Sequence, residues 1–348
     1  MTDDLLVRTE CAAGVLSLNR PKAIHALNHG MVLAMTEALL AWRDDPAVEA
    51  VIIDHSEGRG FCAGGDIAFL RNSALTDGGA GGRKFFFDEY RLNHLIMTYE
   101  KPIAAFMDGI TMGGGVGLAL PARFRVATEN TRLAMPETGI GLFPDVGGGW
   151  FLSRMKGRLG QYLALTGARM DGADCLWAGS ATHYLPAEAV AEAKARIAAD
   201  PANIAAILHS LAAVPPAPKI AAHADDIARL FASDRYEDIL AALEADGSEF
   251  AKATLTALHT KSPQTCKVAL RQLATSLTLP DFAANMVMEY RIGARVLVRP
   301  DFAEGVRAVI VDKDNAPKWN PETPEGVTDE MLDAIFAALP ANEEWTPL

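Results

Sequence analysis

Only four cysteines occur in the 348 residues, Cys11, Cys62, Cys175 and Cys266, and none is spaced as C-x-x-C. That argues against a disulfide-stapled scaffold and a cysteine zinc site, and reduced thiols lead to the expectation of a cytoplasmic protein. Long apolar runs are missing: no stretch approaches the ~18 residues of a membrane span, so no membrane partner is expected. Positive charge is scarce. Lys and Arg number 32 against 44 Asp and Glu, a net charge of −12, whereas nucleic-acid surfaces are usually basic. A compact anionic ligand stays open wherever basic residues cluster locally. No H-E-x-x-H occurs among the eight histidines, and no metal site is expected. No G-x-S-x-G occurs either, which removes the nucleophile elbow of an α/β-hydrolase. The first residues, MTDDLLVRTE, are acidic and resemble neither a signal peptide nor a transit peptide.

Half of the residues are hydrophobic and 22% are charged, a globular composition. GVLSLNRP (14–21) alternates apolar and polar positions and predicts a strand ending at Pro21. Asn28 predicts the cap of an amphipathic helix, HGMVLAMTEALLAWRDD. AVIIDHS and PIAAFMDG predict buried strands, GGGVGLALPA a tight turn into a short helix, and RFRVATEN and TRLAMPE two further strands. The alternation predicts an α/β core over residues 1–200. From Pro186 the composition turns to Ala, Leu, Glu and Lys with helical periodicity, so residues 201–348 are expected to form a helical region packed over that core. AAVPPAPK (212–219) reads as a linker, and SPQTCKVALRQLATS and DFAANMVMEYRIGARVLV as helices with good N-terminal signals. RNSALTDGGAGGRK (71–84) reads as a Gly-rich loop, either filler or an active-site lid.

GRGFCAGGDI (58–67) opens as G-x-G-x-x-A after a strand, but no clear long helix follows, so a glycine turn is favoured over a dinucleotide site. Its glycines let backbone N–H groups approach a ligand closely. MDGITMGGGVGL (107–118) repeats the arrangement at a helix N-terminus, where negative charge is favoured. Two such loops suggest a pair of amides converging on one oxygen, as acyl chemistry requires. Tight helix–strand packing is the alternative. Cys62 has no neighbouring base and reads as a buried structural thiol. AMPETGIGLFPDVGGG (134–149) sets Glu137 and Asp145 among apolar residues and glycine, with no cation close in sequence. Burying an unpaired carboxylate is costly. Acids in that setting are the kind tuned for acid, base or nucleophilic work, with surface acids on a loop as the bland alternative.

LNRPKAIHALN, GRGFCAGGDI, DGITMGGGVGL and AMPETGIGLFPDVGGG occur in the order and spacing of the crotonase (enoyl-CoA hydratase/isomerase) superfamily, which the chain resembles over nearly its whole length. FPDVGGG, FFFDEYRLNH and MEYRIGARVLVRPDFAEGVRAVIVDKDNAPKWNP resemble its 3-hydroxyisobutyryl-CoA hydrolase branch. The resemblance implies a crotonase-like spiral of ββα units over 1–200, with the helical region 201–348 covering the active site. It places oxyanion amides at Gly65 and Gly114, and coenzyme A beside Arg20, Lys22, His25, Asp66 and Ile67. Hydratases of the family carry two glutamates. Glu137 matches one, whereas Gly117 stands where the other would follow the triple glycine, and Asp145 replaces a glycine. The hydrolase branch shows the same exchange. A glutamate of its aromatic helix also contacts substrate and resembles Glu89, with a helix-surface acid as the alternative. The implied activity is hydrolysis of a short 3-hydroxyacyl-CoA, 3-hydroxyisobutyryl-CoA above all, in valine degradation. Glu137 would be nucleophile or general base, and Asp145 would position Glu137, the water or the substrate hydroxyl. Coenzyme A is then part of the substrate, and no metal or redox cofactor is implied. A homo-oligomer, trimer or dimer of trimers, is common in the family. The alternatives are an enoyl-CoA hydratase or isomerase, and a non-catalytic acyl-CoA-binding scaffold.

Overall fold

Leu5–Glu10 (β1) and Ala13–Leu18 (β2) pair antiparallel, with Cys11 in the left-handed region (φ +48°) at the turn between them. The computed structural model describes residues 3–348. After the hairpin every new strand of this first sheet is parallel to its neighbour. Ala50–His55 (β3) lies beside β2, Ile103–Met107 (β5) beside β3, Phe124–Ala127 (β7) beside β5, and His183–Tyr184 (β10) beside β7. A second sheet runs in the order Gly60–Cys62 (β4), Ile110–Met112 (β6), Arg132–Ala134 (β8), Met170–Asp171 (β9), with β4, β6 and β8 parallel and β9 antiparallel to β8.

Parallel strands need crossovers, and here each crossover visits the second sheet before it enters a helix. From β2 the chain makes a single bridge, Leu27 to Gly65, and enters His29–Arg43 (α1). From β3 it forms β4, then Ile67–Thr76 (α2) and Ala80–Met97 (α3). From β5 it forms β6, then Gly114–Ala119 (α4). The repeating unit is strand, strand, helix, which is the expected ββα spiral. The Asn28 side chain accepts the N–H of Met31, capping α1 as its sequence predicts, and the helix buries Met31, Val32, Met35, Leu39 and Trp42.

Downstream lie Gly148–Ser153 (α5), Leu159–Thr166 (α6) and Gly172–Ala178 (α7). Beyond Tyr184 the described residues hold helices and no strand: Val190–Ala199 (α8), Ile204–Leu211 (α9), Ala224–Leu230 (α10), Tyr236–Asp246 (α11), Glu249–Leu258 (α12), Pro263–Ser276 (α13), Phe282–Val296 (α14), Pro300–Val306 (α15) and Asp329–Phe336 (α16). Helices α8 and α9 cover one face of the first sheet, burying Ile197, Ile204 and Leu208 against Val15, Ile52 and Phe106. The other apolar cluster is continuous from Leu5 to Trp345. Within it α14 packs on α3, and α13 packs on α5 and α6. The later helices therefore share a core with the spiral.

The Gly-rich stretch 71–84 is a correction to the sequence reading: it is helical except for the residues between α2 and α3. Its glycines serve packing. A Cβ on Gly82 would stand 2.5 Å from Leu297 Cδ2. Asp77 replaces lost backbone partners by accepting the N–H groups of Ala80 at 2.8 Å and Gly81 at 3.2 Å.

Candidate active site

The parallel strands of the second sheet all deliver their chain ends to the same rim. Strand β4 runs into Gly64–Gly65–Asp66, and the Asp66 side chain caps α2 through Phe69 N–H. Strand β6 runs into Gly113–Gly114 at the start of α4, and β8 runs through Pro136 into a 3₁₀ turn, Glu137–Ile140. Helix α3 crosses above with Glu89 and Tyr90 buried. The backbone at the crossing is tightly approached. A Cβ on Gly114 would lie 2.7 Å from Glu89 Oε1 and 3.3 Å from Gly65 N, and one on Gly113 would lie 3.0 Å from Glu137 Oε1. A side chain at either position would displace these two carboxylates. Among the described residues, neither the Gly65 N–H nor the Gly114 N–H has a protein acceptor.

A cavity of about 800 Å³ opens here, lined by Gly65, Gly114, Glu89, Glu137 and Asp145 with the apolar Phe86, Met112 and Leu142. The five polar candidates thus share one wall system. The acids are buried, with exposures of 2% for Glu89, 4% for Glu137 and 4% for Asp145. Burial pushes the Glu137 carboxyl well above the ordinary range, and the neighbouring Asp145 charge adds to the shift. Glu89 moves the same way for the same two reasons. Asp145 is pushed up to about 7 by burial, partly offset by Tyr90, whose hydroxyl donates to Asp145 Oδ2 at 2.9 Å. Glu89 Oε1 and Glu137 Oε2 are buried without a hydrogen-bond partner among the described residues. On a cavity wall such unpaired oxygens are free to meet a bound group.

The residues expected beside coenzyme A divide. Asp66 and Ile67 line the cavity. Arg20 lies behind them, bonding Ala26 O at 2.6 Å and lying 3.4 Å from Asp66. Lys22 is exposed on the Pro21–Ala23 turn. His25 is fully buried: its Nδ1 accepts Arg20 N–H at 2.9 Å and its Nε2 lies 2.8 Å from Glu57 O. Both ring nitrogens hold the loop, and His29, four residues on, turns instead to Asp88 at 2.6 Å. The cations that do line the cavity are Arg169 and Lys261, which sequence reasoning passed over. Tyr90 and Glu289 were also missed. The acid of MEYRIG within an apolar helix was the available signal for Glu289. Cys62 is buried, donates to His25 O at 3.2 Å, and is pushed up to about 12 by burial, which suits a structural thiol and not a nucleophile.

Gly117, where the resemblance would put a second hydratase acid, has no room for a side chain. A Cβ there would lie 2.6 Å from Val146 Cβ and 2.9 Å from Asn93 Nδ2. The space that a second glutamate would need is filled by Val146, the neighbour of Asp145.

A ββα spiral with two amides facing buried carboxylates defines the class, and the chain belongs to the enoyl-CoA hydratase/isomerase family, whose model matches residues 13–336. Within that family it is 46% identical to the mitochondrial 3-hydroxyisobutyryl-CoA hydrolase of Xenopus tropicalis, over 96% of this chain and 89% of that one. The human protein of that name is 40% identical over 98% and 90%. A crystal structure described as a carnitinyl-CoA dehydratase from Mycobacterium thermoresistibile superposes with a TM-score of 0.94 at 42% identity, covering 99% of both chains. One described as an enoyl-CoA hydratase from Rhodobacter sphaeroides gives 0.88 at 39% identity, again over 99% of both. The cytoplasmic expectation is overturned, because the curated relatives are mitochondrial proteins. Free thiols argue only against an oxidising compartment and do not separate the cytoplasm from other reducing ones.

Proposed function

We propose that the protein hydrolyses the thioester of a short 3-hydroxyacyl-CoA, 3-hydroxyisobutyryl-CoA above all, releasing 3-hydroxyisobutyrate and CoA as in valine degradation. The observation that carries this reading is the pairing of Glu137 with Asp145 in one buried cavity while the position of a second hydratase acid, Gly117, is filled by Val146. The thioester carbonyl would sit between the N–H groups of Gly65 and Gly114, which stabilise the oxygen as it becomes negative. Removing one such donor typically costs about 2.7–4 kcal/mol of transition-state stabilisation. Glu137 then acts in one of two ways. As general base it takes a proton from water, whose oxygen attacks the carbonyl carbon. As nucleophile it forms a mixed anhydride that water cleaves afterwards. In both the C–S bond breaks and the CoA thiolate leaves to take up a proton. Asp145, held by Tyr90, orients Glu137, the water or the 3-hydroxyl. The reaction so written uses no metal or redox cofactor. Arg169 and Lys261 offer local positive charge to a polyanionic substrate on an acidic protein. Self-association as a trimer or dimer of trimers rests on the family resemblance alone and is read by sedimentation velocity.

The test is thiol release from a panel of 3-hydroxyacyl-CoA, acetyl-CoA and enoyl-CoA esters. Fast release from 3-hydroxyisobutyryl-CoA, with no hydration of crotonyl-CoA, is expected. Hydration without thiol release would overturn the reading in favour of the hydratase. Glu137→Gln should lose nearly all turnover while folded. A single turnover in H₂¹⁸O that leaves label on the Glu137 carboxylate, or carries enzyme oxygen into the product, marks the nucleophilic route.

A further inference from the structure

Glu289 is fully buried on α14 and meets the loop that carries Asp145 across 142 positions of sequence. Its Oε2 accepts Gly147 N–H at 2.7 Å, and its Oε1 accepts Gly149 N–H at 2.9 Å, Asn285 Nδ2 at 2.8 Å and Gln272 Nε2 at 3.0 Å. All four partners are donors, which favours the accepting, ionised form of the carboxyl and partly offsets the burial that pushes it up to about 7. Helix α5 has Gly147 at its N-cap position and no side-chain cap of its own. Glu289 supplies that cap from α14. Gln272 extends the grip by donating also to Pro144 O at 2.7 Å, and Ser276 fixes Asn285 through its Oδ1 at 2.7 Å.

The two residues between these grips are Asp145 and Val146. Val146 lies in the left-handed region at φ +52°, an outlier for a β-branched residue. Such strain persists only where the surroundings over-determine it. Here the strained backbone does two things. It turns Val146 into the space beside Gly117, and it leaves Asp145 facing Tyr90. We propose that Glu289 is a positioning residue for thioester hydrolysis: with Gln272 it clamps the Pro144–Gly149 turn, holds Val146 in its strained conformation, and thereby aims Asp145 into the cavity. This inference rests on the proposed function of Glu137 and Asp145. It assigns the orientation of Asp145 to a residue on a helix that grips the turn on the far side of Val146.

Glu289→Gln keeps the volume but sets an NH₂ against donors. In the full-length protein its kcat for 3-hydroxyisobutyryl-CoA, per folded molecule, should fall at least ~10-fold, equivalent to ~1.4 kcal/mol, while KM stays within about threefold. A cap with a purely structural role would lower the melting temperature and leave kcat of the folded fraction alone. Val146→Gly removes the strain, since glycine accepts positive φ freely. In a double-mutant cycle the loss from Glu289→Gln should therefore be smaller in the Val146→Gly background. Should Glu289→Gln fail to fold, Gln272→Met reads the same clamp with the carboxylate retained, and a several-fold fall in kcat at constant KM is expected. Wild-type kcat in folded Glu289→Gln, equal losses in both backgrounds, or full activity of Gln272→Met would overturn the inference. A wild-type protein that releases no thiol would overturn the functional reading beneath it, a distinguishable result.

Discussion

Asp145 is hard to ionise where it sits, and that has a measurable sign. Its carboxyl is raised from 3.8 to about 7, chiefly by burial, so the folded protein holds this proton more tightly than the unfolded chain does. The stabilisation from the proton is complete below the unfolded value and is lost as pH rises through about 7. Asn at this position has no ionisation to lose and still accepts from Tyr90. Asp145→Asn should therefore raise the melting temperature more at pH 8 than at pH 5, while lowering thioester turnover. Differential scanning fluorimetry at the two pH values reads the difference, and a larger gain at pH 5 would mean that Asp145 is stabilised as a charge. The burial of Glu137 and Asp145 was legible in sequence because the signal is local, two acids in an apolar, glycine-rich loop. Tyr90 and Glu289 were not, because each meets the loop across 55 and 142 positions, respectively. The resemblance set His25 beside coenzyme A, and no local pattern announced that both of its ring nitrogens meet backbone groups.

Elements were legible wherever their own periodicity and caps define them. Asn28, Ser262 and Asp281 cap α1, α13 and α14 as expected. The spiral itself was not, and needed the family resemblance. Its second-sheet strands β4, β6 and β8 have three residues each, too short for an alternation to show. The first turn of the spiral keeps only one bridge there, at Leu27. Glycine misled at 71–84 because composition reports conformational freedom and close packing with the same letter. The α2–α3 junction separates the two. Gly79 has φ +82°, and a Cβ there would also lie 2.7 Å from Val298 Cγ1. A side chain in the left-handed region costs roughly 1–2 kcal/mol before any clash. Gly79→Ala should therefore destabilise by about 1–3 kcal/mol, read as a lower urea midpoint with an unchanged slope. A neutral result would show that α3 tolerates a shift of its first turn.

At the scale of the whole molecule, the cavity depends on contacts made by residues far from it in sequence. Helix α3 carries Glu89 and Tyr90 on one side. On another it is clamped by the stretch 344–346. Trp345 is buried at 2% exposure, its indole N–H donates to Phe87 O at 3.1 Å, and its ring meets His94 edge to face at 5.8 Å. Arg91 bonds Thr346 O at 2.8 Å, and Glu344 accepts from Arg291 of α14 at 2.9 Å. This stretch thus ties α3 to α14, the helices that bear Glu89 and Glu289. Removing a buried tryptophan side chain typically costs about 3–5 kcal/mol. Trp345→Ala should lower unfolding stability by that order, and hydrogen exchange should quicken first in α3 and α14, ahead of the sheets. Because one apolar cluster runs from Leu5 to Trp345, the unfolding transition should remain single and cooperative. A loss below about 1 kcal/mol, or exchange that quickens equally everywhere, would show that residues 344–346 lie on α3 without holding it. The larger loss would mean that orienting the acids and stabilising the fold draw on the same contacts, so that turnover and stability fall together.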